Sequence, residues 1–199
     1  MRISVSDIDS YIYFRNSEEM ELDAILRRLR REEEPTREMA MGTAFHAILE
    51  DASAGQEFSV LERDGFRFVF DVDAELALPP VRECKGEMPI MVDGTPVTLV
   101  GKVDGLDGLR VWDHKLTGRF DAERYAENMQ WRMYLWMFGA WQFTYNVFTR
   151  YEQPDGTILV REFHPFDFYA YPGMEDDIMR ELREYVAFVR EYLPEKVAA

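Results

Sequence analysis

The sequence predicts a single α/β domain with a central mixed sheet flanked by helices. Apolar residues recur at helical spacing near both ends of the chain, strand-like runs fill the middle, and Asp-Gly pairs punctuate those runs as turns. Helices, a strand meander, a helix, more strands and a last helix make one domain of this class. A chain of 199 residues is long enough to bury one sizeable core.

The elements follow in order. Ser6 is read as the N-cap of a short helix carrying Ile8, Tyr11, Ile12 and Phe14. Glu19 to Glu33 has helical composition, with Met20, Leu22, Ile25, Leu26 and Leu29 on its apolar side and Pro35 to end it. A third helix is predicted from about Thr36 to Asp51, its apolar set Met39, Met41, Phe45, Ile48 and Leu49, with Gly55 placed to follow its end. Strands are expected at Phe58 to Leu61 and Phe66 to Phe70 around Arg63-Asp64-Gly65. Pro89 to Val92 and Thr95 to Asp104 form a hairpin pattern around Asp93-Gly94, and Asp107-Gly108 turns the chain into Leu109 to Lys115. One long helix is predicted over about Ala122 to Ala140, then two strands around Pro154-Asp155-Gly156. Met174, Ile178, Leu182, Tyr185, Val189 and Tyr192 mark a closing amphipathic helix. The expected organisation is therefore N-terminal helices over 6–52, a core over about 57–152, and a C-terminal strand and helix over 157–193.

Composition excludes several function classes. Cys84 is the single cysteine, so neither an internal disulfide nor a multi-cysteine zinc or iron–sulfur site can form. No apolar run is long enough to cross a membrane, and the start lacks the long apolar stretch of a signal peptide, so a cytoplasmic protein is expected (the host cytoplasm if it is phage-encoded). A phosphate loop of the Gly-x-x-x-x-Gly-Lys-Ser/Thr type is absent, so ATP is not expected as a cofactor. The net charge of −15 opposes a bare DNA-binding module, because phosphate neutralisation supplies much of such a module's affinity. It opposes less an enzyme whose bound cations and local arginines carry the positive charge.

Four short patterns carry chemistry. In Val111-Trp112-Asp113-His114-Lys115, strand alternation puts Asp113 and Lys115 on one face and His114 on the other. A carboxylate beside an ammonium suits phosphodiester hydrolysis, one holding a divalent cation and the other steadying the developing negative charge. A plain surface ion pair is the alternative. Asp104, in Gly101-Lys102-Val103-Asp104-Gly105, lies one hairpin earlier and can approach Asp113 at one end of a sheet, although Asp-Gly is also a turn dipeptide. His46 lies in the helical stretch Gly42-Thr43-Ala44-Phe45-His46, where it is either packed or a ligand. Gly42 within that helix costs roughly 1 kcal/mol relative to Ala, which a close approach of backbone or of substrate would explain. Gln130 and Tyr134 stand four apart, on one helix face, either directed at the catalytic strand or part of an ordinary amphipathic helix. Arg119 and Arg124 follow the strand, and guanidinium suits bidentate phosphate contacts.

In order and spacing, Gly42-x-x-x-His46, Gly101-x-x-Asp104, Asp113-x-Lys115 and Gln130-x-x-x-Tyr134 together resemble the RecB-like branch of the PD-(D/E)XK nuclease superfamily. Asp113-His114-Lys115-Leu116-Thr117-Gly118 looks like that branch's Asp-x-Lys-Thr strand end, and Ile3-Ser4-Val5-Ser6 resembles its N-terminal entry. The resemblance spans about Ile3 to Tyr134 and implies a restriction-endonuclease-like core. It implies His46, Asp104, Asp113 and the Leu116 backbone carbonyl as ligands of Mg²⁺ or Mn²⁺, Lys115 as the catalytic lysine, and Gln130 and Tyr134 on the substrate side. The implied activity is DNA hydrolysis, by a stand-alone exonuclease acting on ends in recombination, repair or phage DNA processing. The alternatives are a nuclease subunit or endonuclease that relies on a partner protein or self-association to hold DNA, and a non-catalytic interaction module. The cysteines of the iron–sulfur members are missing, so no cluster is implied.

Overall fold

Arg2–Ser4 form a short strand, β1, that passes directly into helix α1 (Val5–Asn16). Ser4, and not Ser6, is the N-cap: its hydroxyl accepts from the Asp7 amide at 3.2 Å while the Asp7 carboxylate accepts from the Ser4 amide at 3.4 Å. This reciprocal pair satisfies two otherwise orphaned amides. The helix therefore starts two residues earlier than a Ser6 cap would place it. The computed structural model describes residues 1–53, 56, 58–72 and 78–197, so Gly55 lies outside the described residues.

Helix α2 (Leu22–Arg30) is shorter than its composition suggests. It ends at Arg31, which adopts φ +62°, before Pro35 is reached. Helix α3 (Arg37–Asp51) begins on a Thr36 side-chain cap as expected. Its C-terminal carbonyls, at Leu49, Glu50 and Ala52, accept from the Arg82 guanidinium, so an arginine serves there in place of a glycine cap.

Strands β2 (Val60–Arg63) and β3 (Phe66–Phe70) turn through Asp64 and Gly65, both at positive φ. Strands β4 (Val81–Val92) and β5 (Thr95–Asp107) turn through Asp93 and Gly94 in the same way. Such paired left-handed residues match the twist of the flanking strands, which is why Asp-Gly marks both hairpins. Strand β6 (Arg110–Thr117) follows. The long helix predicted over 122–140 is in fact two, α4 (Ala122–Glu127) and α5 (Gln130–Phe138), broken at Asn128. Arg132 fills the break: its guanidinium donates to the carbonyls of Ala126 and Asn128 and lies over the Trp131 ring. Strands β7 (Gln142–Glu152) and β8 (Ile158–Tyr169), then helices α6 (Met174–Tyr192) and α7 (Pro194–Val197), complete the chain.

Among the described residues, eight strands join one mixed sheet in the order β1-β5-β6-β7-β8-β3-β2, with β4 on the other edge of β5. Alternation along β7 shows how the sheet is covered. Phe143, Tyr145 and Val147 enter a large apolar cluster with α1, α2, α5 and α6, whereas Phe148 enters a second cluster under α3. There Phe45 packs against Phe68, Phe70 and Phe148, anchoring α3 by a fully buried ring. Burial of that kind contributes roughly 1.5–3 kcal/mol per side chain. The fold is thus α/β, with a mixed central sheet between helices on both faces. Among the described residues, no helix is long and apolar enough to cross a membrane.

Candidate active site at a fork in the sheet

Strand β5 has one edge paired with β4 from Thr95 to Leu106, interrupted at Asp104, and a second edge shared by two partners. At one end, β1 pairs in parallel from Arg2↔Thr98 to Ser4↔Val100. At the other, β6 pairs antiparallel from Gly105↔Trp112 to Asp107↔Arg110. Residues 101–104 between them have no strand partner on that edge, and they are the Gly101-x-x-Asp104 pattern. Asp104 and Asp113 are the first residues past the last ladder pair, where β5 and β6 part. The patterns converge on this fork.

Asp104 bridges the opening. One carboxylate oxygen accepts from the His114 amide at 2.6 Å, and the other lies 3.1 Å from His46 Nδ1 on α3. Burial would raise its pKa, but the hydrogen bond and charge of His46, with Lys115 nearby, hold it down at about 2. Asp104 is therefore a carboxylate. Burial alone would lower the His46 pKa; the hydrogen bond and charge of Asp104 outweigh it and leave the ring raised.

Asp113 is buried, with Lys115 Nζ at 2.7 Å from one oxygen and Gln130 Nε2 donating to the other at 3.1 Å. Burial pushes the Asp113 carboxyl up, to about 6, against the pull of Lys115. Lys115 stands above its ordinary value, because Asp113 and Asp104 overcome the opposing effect of burial. These two shifts describe one ion pair, and its short separation favours the ionised form. Gln130 is itself fixed by the Tyr145 hydroxyl, which donates to Oε1 at 3.1 Å. His114 points to the other face, where its Nδ1 lies 3.3 Å from Asn146 Nδ2 and burial lowers its pKa to about 4. The predicted alternation of Asp113, His114 and Lys115 is the one observed.

The remaining predicted residues divide. Leu116 lies one step further along β6, in register with Phe148. Tyr134 is buried and donates to the Lys102 carbonyl at 2.9 Å, one of the carbonyls that the fork leaves without a strand partner. A Cβ added at Gly101 would come within 2.6 Å of the Tyr134 ring, so the glycine and the tyrosine fit each other. Gly42 is different, since a Cβ there would meet nothing within 4 Å. Close backbone packing does not account for it. Arg119 and Arg124 are exposed and, among the described residues, neither forms an ion pair.

Two site residues escape a reading of the patterns. Asp9 of α1 accepts from the Met129 amide at 3.0 Å and so caps the start of α5, one residue before Gln130. Burial raises its pKa to about 6. Glu83 of β4 lies across from Asp104, between the ladder pairs Arg82↔Gly105 and Cys84↔Val103, with φ +52°. The Asp93-Gly94 turn contained the signal for Glu83. A two-residue turn pairs residues equally distant on either side, and counting outward from it brings Glu83 opposite Asp104. Side-chain N and O atoms of His46, Glu83 and Asp104 all lie within 4.8 Å of one another. One imidazole and two carboxylates, one of them firmly ionised, form a donor set that fits a divalent cation.

No family model matches the chain, and no curated protein matches it. Among solved structures, the chain is similar to one described as "Crystal structure of SSO0001", at 16% identity and a TM-score of 0.58, covering 94% of this chain and 76% of that one. At that identity the likeness speaks for a shared α/β fold.

Proposed function

We propose that this protein is a metal-dependent nuclease hydrolysing DNA phosphodiester bonds, with its active site at the fork between β5 and β6. The observation that carries the reading is the convergence of four separated patterns on that opening: His46 on Asp104, Lys115 and Gln130 on Asp113. A lysine held as ammonium beside two buried carboxylates is costly to build, since each desolvated charge must be compensated. A simple interaction module would gain nothing from it.

His46 and Asp104 would hold Mg²⁺ or Mn²⁺, with Asp113 and the Leu116 carbonyl as the further ligands that the family resemblance implies. A cation held there polarises a phosphate and lowers the pKa of bound water. The chain's own groups do the rest. Lys115 places a fixed positive charge where negative charge builds up on the phosphoryl oxygens. Gln130, held by Tyr145, keeps Asp113 in one orientation. The open space over Gly42 leaves the α3 backbone approachable by substrate. Tyr134 acts from beneath by filling the unpaired segment of β5.

The purified protein should cut DNA with Mg²⁺ or Mn²⁺ and stop with EDTA. Asp113→Asn should lower kcat by about 100-fold or more while circular dichroism and Tm stay near wild type. Wild-type cleavage by that variant would remove Asp113 from the chemistry. A second reading, a nuclease that takes its DNA grip from a partner, draws support from the net charge of −15. Comparing linear with covalently closed circular DNA, alone and after self-association is tested by sedimentation, separates the two.

A further inference from the structure

Resting on the metal-dependent reading above, we propose that Glu83 is a ligand of the same cation as His46 and Asp104, and that Lys102 holds its place until the cation arrives. The three donor groups lie within 4.8 Å of one another. Two atoms bound to one small divalent cation at about 2.0–2.6 Å are at most about 5 Å apart, so a single ion can touch all three with little rearrangement. The Glu83 side chain is only 17% exposed, and its carboxylate is met by the Lys102 ammonium. That lysine is half-exposed and springs from the stretch of β5 that has no strand partner on the fork side. It can therefore leave toward solvent without breaking the sheet.

The backbone supports the same assignment. Glu83 adopts φ +52° in the middle of a strand, a left-handed conformation disfavoured for an L-residue, and interrupts the β4–β5 ladder at that position alone. Glycine would sit there without strain, yet a glutamate does, with its carboxylate turned in beside Asp104. Strain of this kind concentrates at sites of binding and catalysis. In the metal-free protein the ammonium neutralises Glu83; when a dication enters, its charge replaces that of Lys102. The cation and the lysine compete for one carboxylate.

The competition gives opposite signs to two substitutions. Mn²⁺ binding to the full-length protein without nucleic acid, followed by isothermal titration calorimetry and by the electron paramagnetic resonance of free Mn²⁺, reads both. Glu83→Gln, which keeps the shape, should weaken Mn²⁺ binding about tenfold or more, and Lys102→Met should tighten it severalfold. His46→Ala serves as the reference for loss of a ligand that the proposed function already assigns. If Glu83→Gln binds as wild type while His46→Ala does not, the Glu83 assignment falls and the nuclease reading stands. If Glu83→Gln weakens binding but Lys102→Met leaves it unchanged, the placeholder role of Lys102 falls alone. If the wild-type protein binds no Mn²⁺ at millimolar concentration, both this inference and the metal-dependent reading fail together. A Glu83→Gln chain that does not fold leaves the decision to Lys102→Met, for which unchanged affinity overturns the competition.

Discussion

Asp9 shows how one side chain off the recognised patterns can govern the site. Its carboxylate caps α5 through Met129, and the next residue, Gln130, grips Asp113. The cost of that position is electrostatic. Burial lifts Asp9 from 3.8 to about 6, so between those values the folded chain keeps a proton that the unfolded chain has lost. Stability attributable to Asp9 therefore falls as pH rises through about 4 to 6, and above that window the ionised carboxylate is a net penalty. Asp9→Asn retains an oxygen for the Met129 amide and removes the charge. Its Tm at pH 7 should rise by about 3 °C or more, with a flatter pH profile of stability between 4 and 6. A profile identical to wild type would assign the pH response to other groups. Asp9→Ala, which also removes the cap, should instead lower kcat by letting Gln130 drift from Asp113. Asp9 was not legible as a site residue because its partners lie far along the chain and it carries no spacing signal of its own. His46, Asp104, Asp113 and Lys115 were legible only through the resemblance of their combined order and spacing to a family signature, and the fold brings them together in pairs.

Among the elements, the shared edge of β5 explains why Gly101 and Tyr134 occur together. The tyrosine hydroxyl serves the Lys102 carbonyl, and its ring occupies the space a side chain at 101 would need. Gly101→Ala should destabilise the fold by roughly 1–3 kcal/mol through this overlap. Adding Tyr134→Leu should recover part of that loss relative to the sum of the two single changes, because the residues touch. Strict additivity in urea unfolding would show that the contact is not the cause. Helical and hairpin periodicity gave most elements their correct identity, and all four Asp-Gly turns fall at connections between antiparallel strands, as expected. The misses have physical causes. Residues 81–88 of β4 escaped because an edge strand rich in Lys, Glu and Arg has no apolar alternation to reveal it. The break between α4 and α5 escaped because Asn128 is helix-tolerant, and what stops the helix is the distant Asp9 carboxylate together with Arg132. Strand β1 escaped because three residues are too few to show a period.

Over the whole molecule, the net charge of −15 constrains how the proposed nuclease would hold DNA. Of the arginines in and just after α2, Arg28 meets Ser10, Arg30 meets Glu195 and Arg31 meets Asp7. Arg132 is likewise committed to the α4–α5 break. Arg119 and Arg124 remain exposed beside the strand that carries Asp113 and Lys115. Neutralising both to Gln should raise the apparent KM and flatten its salt dependence, each lost phosphate contact reducing the logarithmic slope by about 0.7–0.9. Wild-type KM at every salt concentration would mean that DNA reaches the site by another path. With a net charge of −15 opposing the polyanion, the proposed approach for DNA lies beside β6, where these two arginines stand.

The divided edge of β5 also sets a clock on folding. Its two partners come from opposite directions along the chain, β1 about a hundred residues upstream and β6 immediately downstream, while Met129 reaches back to Asp9 across 120 residues. Closing such long loops is slow compared with forming a local hairpin. The β4–β5–β6 meander can form early from neighbouring residues, but it is β1 that keeps the far end of that edge from pairing elsewhere. The placement of Gln130 on Asp113 thus depends on a contact that spans 120 residues. A chain that stops short of Met129 can still form the local hairpins, but it lacks the contact to Asp9 that seats Gln130.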